Sequence, residues 1–297
     1  NNDRIPGIPL PPLEGTVRLK ADHFTFSGFS SNPLQATASL SPHGMKGEIE
    51  RGDVCGIATV GKVDFRDEEL GFDMSLAVTD GQLGPTSLCL TENRRVLTGS
   101  YSLQAHVTGR GPVEKVAQTL RGDFEFTARD GQIAQSPNTE TPLEATFDFL
   151  NGTGDFDVAF PDLDRESFPF RLISGRGTVE GMTLVKDELI IQSSRMTIAG
   201  QGRVDLENKQ IDARGLVSVR IPGAGIVRRI PIIGSILGPS LLGIPVRVTG
   251  SLEQPRVSYL SPAAVGAQLL NLPLRILGLP LVAIRLFTPK VRVPESK

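Results

Sequence analysis

"LGFDMSLAV", residues 70–78, alternates without interruption: Leu70, Phe72, Met74, Leu76 and Val78 fall on one parity, and Gly71, Asp73, Ser75 and Ala77 on the other. Successive side chains of a β-strand point to opposite faces, so the stretch predicts a strand with one apolar and one wet face. The pattern recurs on both sides of it. In "LTGSYSLQAHV" (97–107), Leu97, Tyr101, Leu103, Ala105 and Val107 share a side, and in "LQATASL" (34–40) Leu34, Ala36, Ala38 and Leu40 do. "GDFEFTA" (122–128) sets Phe124, Phe126 and Ala128 against acidic and polar neighbours. In "VRLKADHFTF" (17–26) the parity shifts between Ala21 and Phe24, which reads as a β-bulge. "DG" at 80 and 130, "ENR" at 92 and "ENK" at 207 read as turns. Short spacings between such runs predict a dozen or more strands, mostly antiparallel. One-sided strands line an open groove or meet face to face in a sandwich, and the pattern alone fits both.

Helices are few. "GPVEKVAQTL" (111–120) carries Pro112 at a helix start, with Val113, Val116, Ala117 and Leu120 in one stripe. "TPLEATFDFLN" (141–151) has a capping box of Thr141 and Glu144, and an apolar face of Leu143, Phe147 and Leu150. Both are expected to cap an apolar sheet face. Residues 261–287 form a last helical region, broken at Pro273 and Pro280. Gly81, Gly131 and Gly181 stand fifty residues apart in "DGQL", "DGQI" and "EGMTL", a regularity that recurring turn chemistry accounts for. Cys55 and Cys89 each fall in a predicted strand and fit either one disulfide or two buried thiols.

The chain of 297 residues is 39% hydrophobic and 22% charged, values of a globular protein and not of a polytopic membrane protein. Its net charge of −2 hides an asymmetry: residues 1–214 hold 21 Lys/Arg against 31 Asp/Glu, and residues 215–297 hold 10 against 2. A basic, apolar tail suits an anionic surface. With Tyr259 and Phe287 as almost its only aromatic residues, it lacks the rings on which single-stranded nucleic acid stacks, so lipid is expected and nucleic acid is not. The opening "NNDRIPGIPLPPLEG" has neither a charged nor an apolar leader segment.

Catalytic signatures are missing from the sequence: no nucleophile elbow, no Walker loop, and three widely spaced histidines (His23, His43 and His106) without metal-ligand spacing. Asp162, Asp164 and Glu166 lack the spacing of a calcium loop. No catalytic residue, metal or cofactor is expected.

Between Arg229 and Arg247 lie seventeen uncharged residues. A membrane-crossing helix needs about twenty apolar residues, and Pro231, Gly234, Gly238, Pro239, Gly243 and Pro245 interrupt these, so a span is excluded. Flanking arginines instead predict an interfacial segment. Its expected membrane contacts are Arg228, Arg229, Ile230, Ile233, Leu237 and Arg247, followed by Leu270, Arg275, Leu277 and Arg285 in the tail.

An ordered series of motifs fills the second half. "FLNGT" (149–153) precedes "FPDLDRESFPF" (160–170) and "GRGTVEGMTLVKDELII" (175–191). "MTIAGQGRVDLENKQIDARGLVSV" (196–219) and "IVRRIPIIGSILGPSLLGIPVRVTGSLEQPRVSYLSPAAVG" (226–266) follow. From about Pro137 onward this series resembles the AsmA-like proteins, above all the C-terminal region of YhdP-type members. "CLT", "TGSYSL" and "LRGDFEFTARDGQI" carry a looser resemblance in the first half. The resemblance implies a mainly β protein: a long, curved, open antiparallel groove, taco- or jelly-roll-like, with a few short helices and an amphipathic C-terminal helical segment. It implies a β-groove segment at 1–136, an AsmA-like segment at 137–260 and a basic helical tail at 261–297. The implied function is bridge-like transfer of phospholipid across the periplasm of a Gram-negative bacterium. An inner-membrane anchor would lie outside this chain, the C-terminal end near the outer membrane, with an outer-membrane or periplasmic protein as a further partner. The groove lining is expected from Leu70, Phe72, Met74, Leu76, Val78, Leu103, Ala105, Val107, Phe124 and Phe126. A periplasmic location would favour the Cys55–Cys89 disulfide. The alternative is a non-conducting assembly factor for the outer membrane with a closed β-sandwich core.

Overall fold

A computed structural model describes residues 14–26, 29–91, 97–134, 145–146, 167–194, 196–220 and 241–260. They form a mainly β fold. The strands are β1 (Gly15–Ala21), β2 (Phe24–Phe26), β3 (Phe29–Ser41), β4 (Gly44–Val54), β5 (Ile57–Arg66), β6 (Glu69–Gln82) and β7 (Ser100–Pro112). They continue as β8 (Arg121–Ala134), β9 (Ser167–Glu180), β10 (Thr183–Gln192), β11 (Met196–Asp205), β12 (Gln210–Arg220), β13 (Leu241–Ser251) and β14 (Pro255–Tyr259). All fourteen belong to one open antiparallel sheet. From β3 to β14 each strand pairs with its sequence neighbour, while β1 and β2 both pair with β3. The sheet is not closed into a barrel. A two-sheet sandwich is therefore not what these strands build.

β8 and β9 pair from Arg121↔Glu180 to Ala134↔Ser167, so the segments on either side of residue 137 share one sheet. Several of the neighbouring strands are joined by tight turns. Cys55, Asp67, Glu68 and Lys209 take positive φ where strands reverse, and Gly181 does so between β9 and β10.

Several sequence expectations are corrected. Asp80–Gly81 and Asp130–Gly131 are not turns between strands but lie inside β6 and β8, with both aspartates at positive φ. At Val78/Gly81 the register with β7 shifts, so the first dipeptide marks a bulge. The parity change near Ala21 is a break between β1 and β2, not a bulge in one strand. The stretch around Cys89 is not a strand but a helix, α1 (Leu83–Thr91). Pro85 is tolerated near its start, where backbone N–H groups lack intrahelical partners. Cys55 sits in the turn between β4 and β5. "GPVEKVAQTL" holds a 3₁₀ turn, Val116–Thr119, with no buried residue, and its Thr119 methyl lies over Gly111, 3.4 Å from where a Cβ there would stand. Of "TPLEATFDFLN", Ala145 and Thr146 are helical and buried, and its other residues lie outside the described residues.

α1 covers one end of the apolar face. Tyr101 Oη donates to Thr86 Oγ1 at 2.9 Å, and Thr86 Oγ1 donates to the Cys55 carbonyl at 3.0 Å. A Cys55–Cys89 disulfide ties the helix to the β4–β5 turn. It closes a sequence separation of 34 residues, and a loop of that size contributes about 3–4 kcal/mol by restricting the unfolded chain. Cys55→Ser/Cys89→Ser is thus expected to lose about that much stability in denaturant titration; an unchanged midpoint would show that the bond constrains nothing.

Candidate functional site: the apolar face of the sheet

Directly paired residues of antiparallel strands lie on the same face, so the register maps the sheet as rows running across it. One row reads Leu19, Ala36, Ile49, Gly61, Met74, Val107, Gly122, Val179, Leu184, Val204, Ile211 and Gly250. It crosses twelve strands without a polar side chain. At about 4.8 Å per strand it runs for roughly 50 Å. From Ala36 to Gly250 every member is half-buried and none is fully buried. Leu19 at its β1 end is 38% exposed, and on the same face Val17 is 52% and Phe65 37% exposed.

Three steps along the strands, the parallel row Tyr101, Ala128, Ile173, Ile191, Ile198, Val217 and Ile244 behaves differently. Tyr101 is 3% exposed, and Ala128, Val217 and Ile244 are 0%. Ile173, Ile191 and Ile198 of this row are half-buried, so the apolar face grades from a mostly closed core, beside α1, to a half-buried strip within one strand length.

All ten expected lining residues share this face. Met74 faces Val107, Leu76 faces Ala105 and Val78 faces Leu103; Ala105 faces Phe124 and Leu103 faces Phe126. Leu70 and Phe72 extend the set along β6, opposite Gly111 and Gly109. Val78 belongs to the buried core; the other nine are half-buried.

Glycines, which parity reading passed over, let the large side chains lie flat. A Cβ on Gly109 would stand 2.8 Å from the Phe72 ring, and one on Gly61 would stand 2.8 Å from the Met74 sulfur. Phe170 covers Gly131 in the same way, at 2.6 Å. The legible signal was a glycine on the apolar parity of each neighbouring strand.

The opposite face carries the ion pairs. Asp64 accepts from Arg110 at 3.1 Å and contacts Arg66 at 3.1 Å, and Arg176 pairs with Glu188 at 3.1 Å; beside them His106 Nε2 hydrogen-bonds Asp73 Oδ1 at 2.8 Å. Hydrogen bonding from Arg110 holds the Asp64 carboxyl below its ordinary value. Open space of about 1260 Å³ is lined by Phe72, Gly109, Gly122 and Val179 of the apolar parity together with Lys62, Asp64, Asp73 and Arg110.

Arg247, expected at a membrane, grips Asp212 with two hydrogen bonds of 3.0 Å, Nε to Oδ1 and Nη2 to Oδ2. That bond holds the Asp212 carboxyl below its ordinary value. The pair is largely solvated, so water and salt screen it and it contributes little to stability. A depressed carboxyl pKa contributes stability above the unfolded value, and this contribution fades as pH falls through the folded value.

The other expected membrane contacts, Arg228, Arg229, Ile230, Ile233, Leu237, Leu270, Arg275, Leu277 and Arg285, lie outside the described residues, as does the helical tail. Among the described residues no helix is long and apolar enough to cross a membrane, and no cluster of His, Cys, Asp or Glu could hold a metal. No family model, curated protein or solved structure matches this chain.

Proposed function

We propose that the chain is a segment of a lipid-transfer protein, whose apolar face is a groove that shields the acyl chains of phospholipids between two membranes. The observation that carries this is the twelve-residue row from Leu19 to Gly250, apolar throughout, with eleven members half-buried and Leu19 exposed. A sliding acyl chain needs such continuity, because each CH₂ left in water costs about 0.8 kcal/mol. A folding core needs fuller burial, which Tyr101, Ala128, Val217 and Ile244 of the parallel row have. A monomer seldom exposes so long an apolar strip without using it.

The motif series from residue 149 to 266 and the basic tail support the finer reading. In it the groove spans a Gram-negative periplasm, an anchor holds it to the inner membrane, and the C-terminal end docks near the outer membrane. A non-conducting assembly factor for the outer membrane is the alternative, and it would leave the same strip without lipid.

The test is chemical. Organic extracts of the purified protein are expected to contain phospholipid by mass spectrometry, and the protein is expected to exchange fluorescent phospholipid between vesicles. Lipid-free extracts together with no exchange would overturn the proposal.

A further inference from the structure

One charged side chain lies on the apolar face. The register of β10 with β9 shifts between Lys186 and Glu188, leaving Asp187 as the extra residue. Lys186 therefore faces Gly177 and Gly202, on the side of Leu184 and Leu189. Glu188 turns to the polar face, where Arg176 holds it. The Lys186 Nζ lies 3.7 Å from where a Cβ on Gly175 would stand, so the stem runs along the apolar face over that glycine.

Glycines surround Lys186: Gly175 and Gly177 on β9, Gly200 and Gly202 on β11 and Gly215 on β12 all lie on the same face by register. Phe124 bounds it on one side, through Gly177, and Leu184 and Leu189 bound it along β10. Four of these glycines are buried and Gly202 is half-buried, and without side chains they let the Lys186 stem lie flat on the face.

Among the described residues Lys186 has neither a hydrogen bond nor an ion pair, and burial alone pushes its pKa below the ordinary 10.5. A desolvated ammonium without a counter-ion is costly, and an anion delivered to it recovers that cost.

We infer that Lys186 marks a headgroup subsite, where an acyl-chain amphiphile with an acidic headgroup sets an anionic oxygen on the ammonium over these glycines. This rests on the lipid-groove reading. The acyl chains lie against Phe124 and Leu189. Phosphodiester and carboxylate oxygens share the required chemistry, and a lysine ammonium, being a point charge, accepts either.

The test compares the wild-type chain with Lys186→Met and Lys186→Arg. Each is mixed with vesicles bearing fluorescent phosphatidylglycerol or fluorescent phosphatidylcholine; sodium oleate and inorganic phosphate serve as separate competitors. The wild type is expected to take up phosphatidylglycerol at least tenfold better than phosphatidylcholine. Lys186→Met is expected to bring that ratio close to one and to raise Tm by about 2–4 °C, because an unpaired, half-buried charge is gone. Lys186→Arg is expected to keep most of the preference. Competition by oleate that disappears in Lys186→Met would extend the site to fatty carboxylates. Equal uptake of both lipids by all three proteins overturns the subsite and leaves the groove standing. Uptake of neither lipid overturns both. Lys186-dependent binding of inorganic phosphate, without any lipid preference, overturns the amphiphile in favour of the free anion.

Discussion

Met74→Glu is expected to leave the sheet folded and to slow phospholipid exchange by more than tenfold. Met74 sits mid-strand in the accessible row, between Gly61 of β5 and Val107 of β7. Its side chain is half-buried, so a carboxylate there reaches water with a modest shift and costs about 1–2 kcal/mol of stability. For a passing acyl chain the charge is a break in the apolar strip. Two or three CH₂ groups lose their shelter beside it, about 2 kcal/mol in all, which is roughly a thirtyfold slower passage. Ala77→Glu is the control: Ala77 is exposed on the other face of the same strand, opposite Ala58 and Gln104. Circular dichroism checks the fold of both variants, and vesicle-to-vesicle transfer of fluorescent lipid reads the effect. Equal rates for the two would show that lipid does not travel along this row.

The period of two made the apolar face legible, because β6, β7 and β8 keep it without interruption where the lining was expected. What defeated sequence reading was local. "LVKDELII" (184–191) in strict alternation puts Lys186, Glu188 and Ile190 on one face. The extra residue Asp187 breaks that alternation, sending Lys186 to the apolar side and Glu188 to the polar one. A bulge of this kind has no signature in a single sequence, since aspartate at 187 serves equally as a solvated strand residue. The "DG" dipeptides failed for a related reason. Asp80 and Asp130 do adopt the positive φ of a turn, but the strand continues past them. The helix at Leu83–Thr91 alternates briefly at Leu88 and Leu90, which stand 48% and 53% exposed. Short apolar runs do not separate helix from strand. Whether the apolar faces met each other or stayed open was never in the pattern, because core and groove ask for the same residues.

Leu216→Asp is expected to do what Met74→Glu does not: unfold the β10–β13 end of the sheet. Leu216 lies on the opposite face, in a row with Ile190, Ala199 and Pro245. Leu216 and Ala199 are 0% exposed and Ile190 is 8% exposed. Its strand neighbour Val217, on the apolar face, is also 0% exposed. Here the sheet is buried on both sides, and "GLVSV" (215–219) is correspondingly a near-continuous apolar run rather than an alternation. A carboxylate at 216 has no route to water and costs on the order of 4–5 kcal/mol, a large share of a domain's total stability of roughly 5–15 kcal/mol. Leu216→Ala measures the packing term alone and is expected to cost about 2–5 kcal/mol. Denaturant titration followed by circular dichroism distinguishes the cases. If Leu216→Asp melted like Met74→Glu, burial at 216 would not be holding this end together. Two acidic substitutions in one sheet, one tolerated and one not, separate the strip available to lipid from the core that carries it.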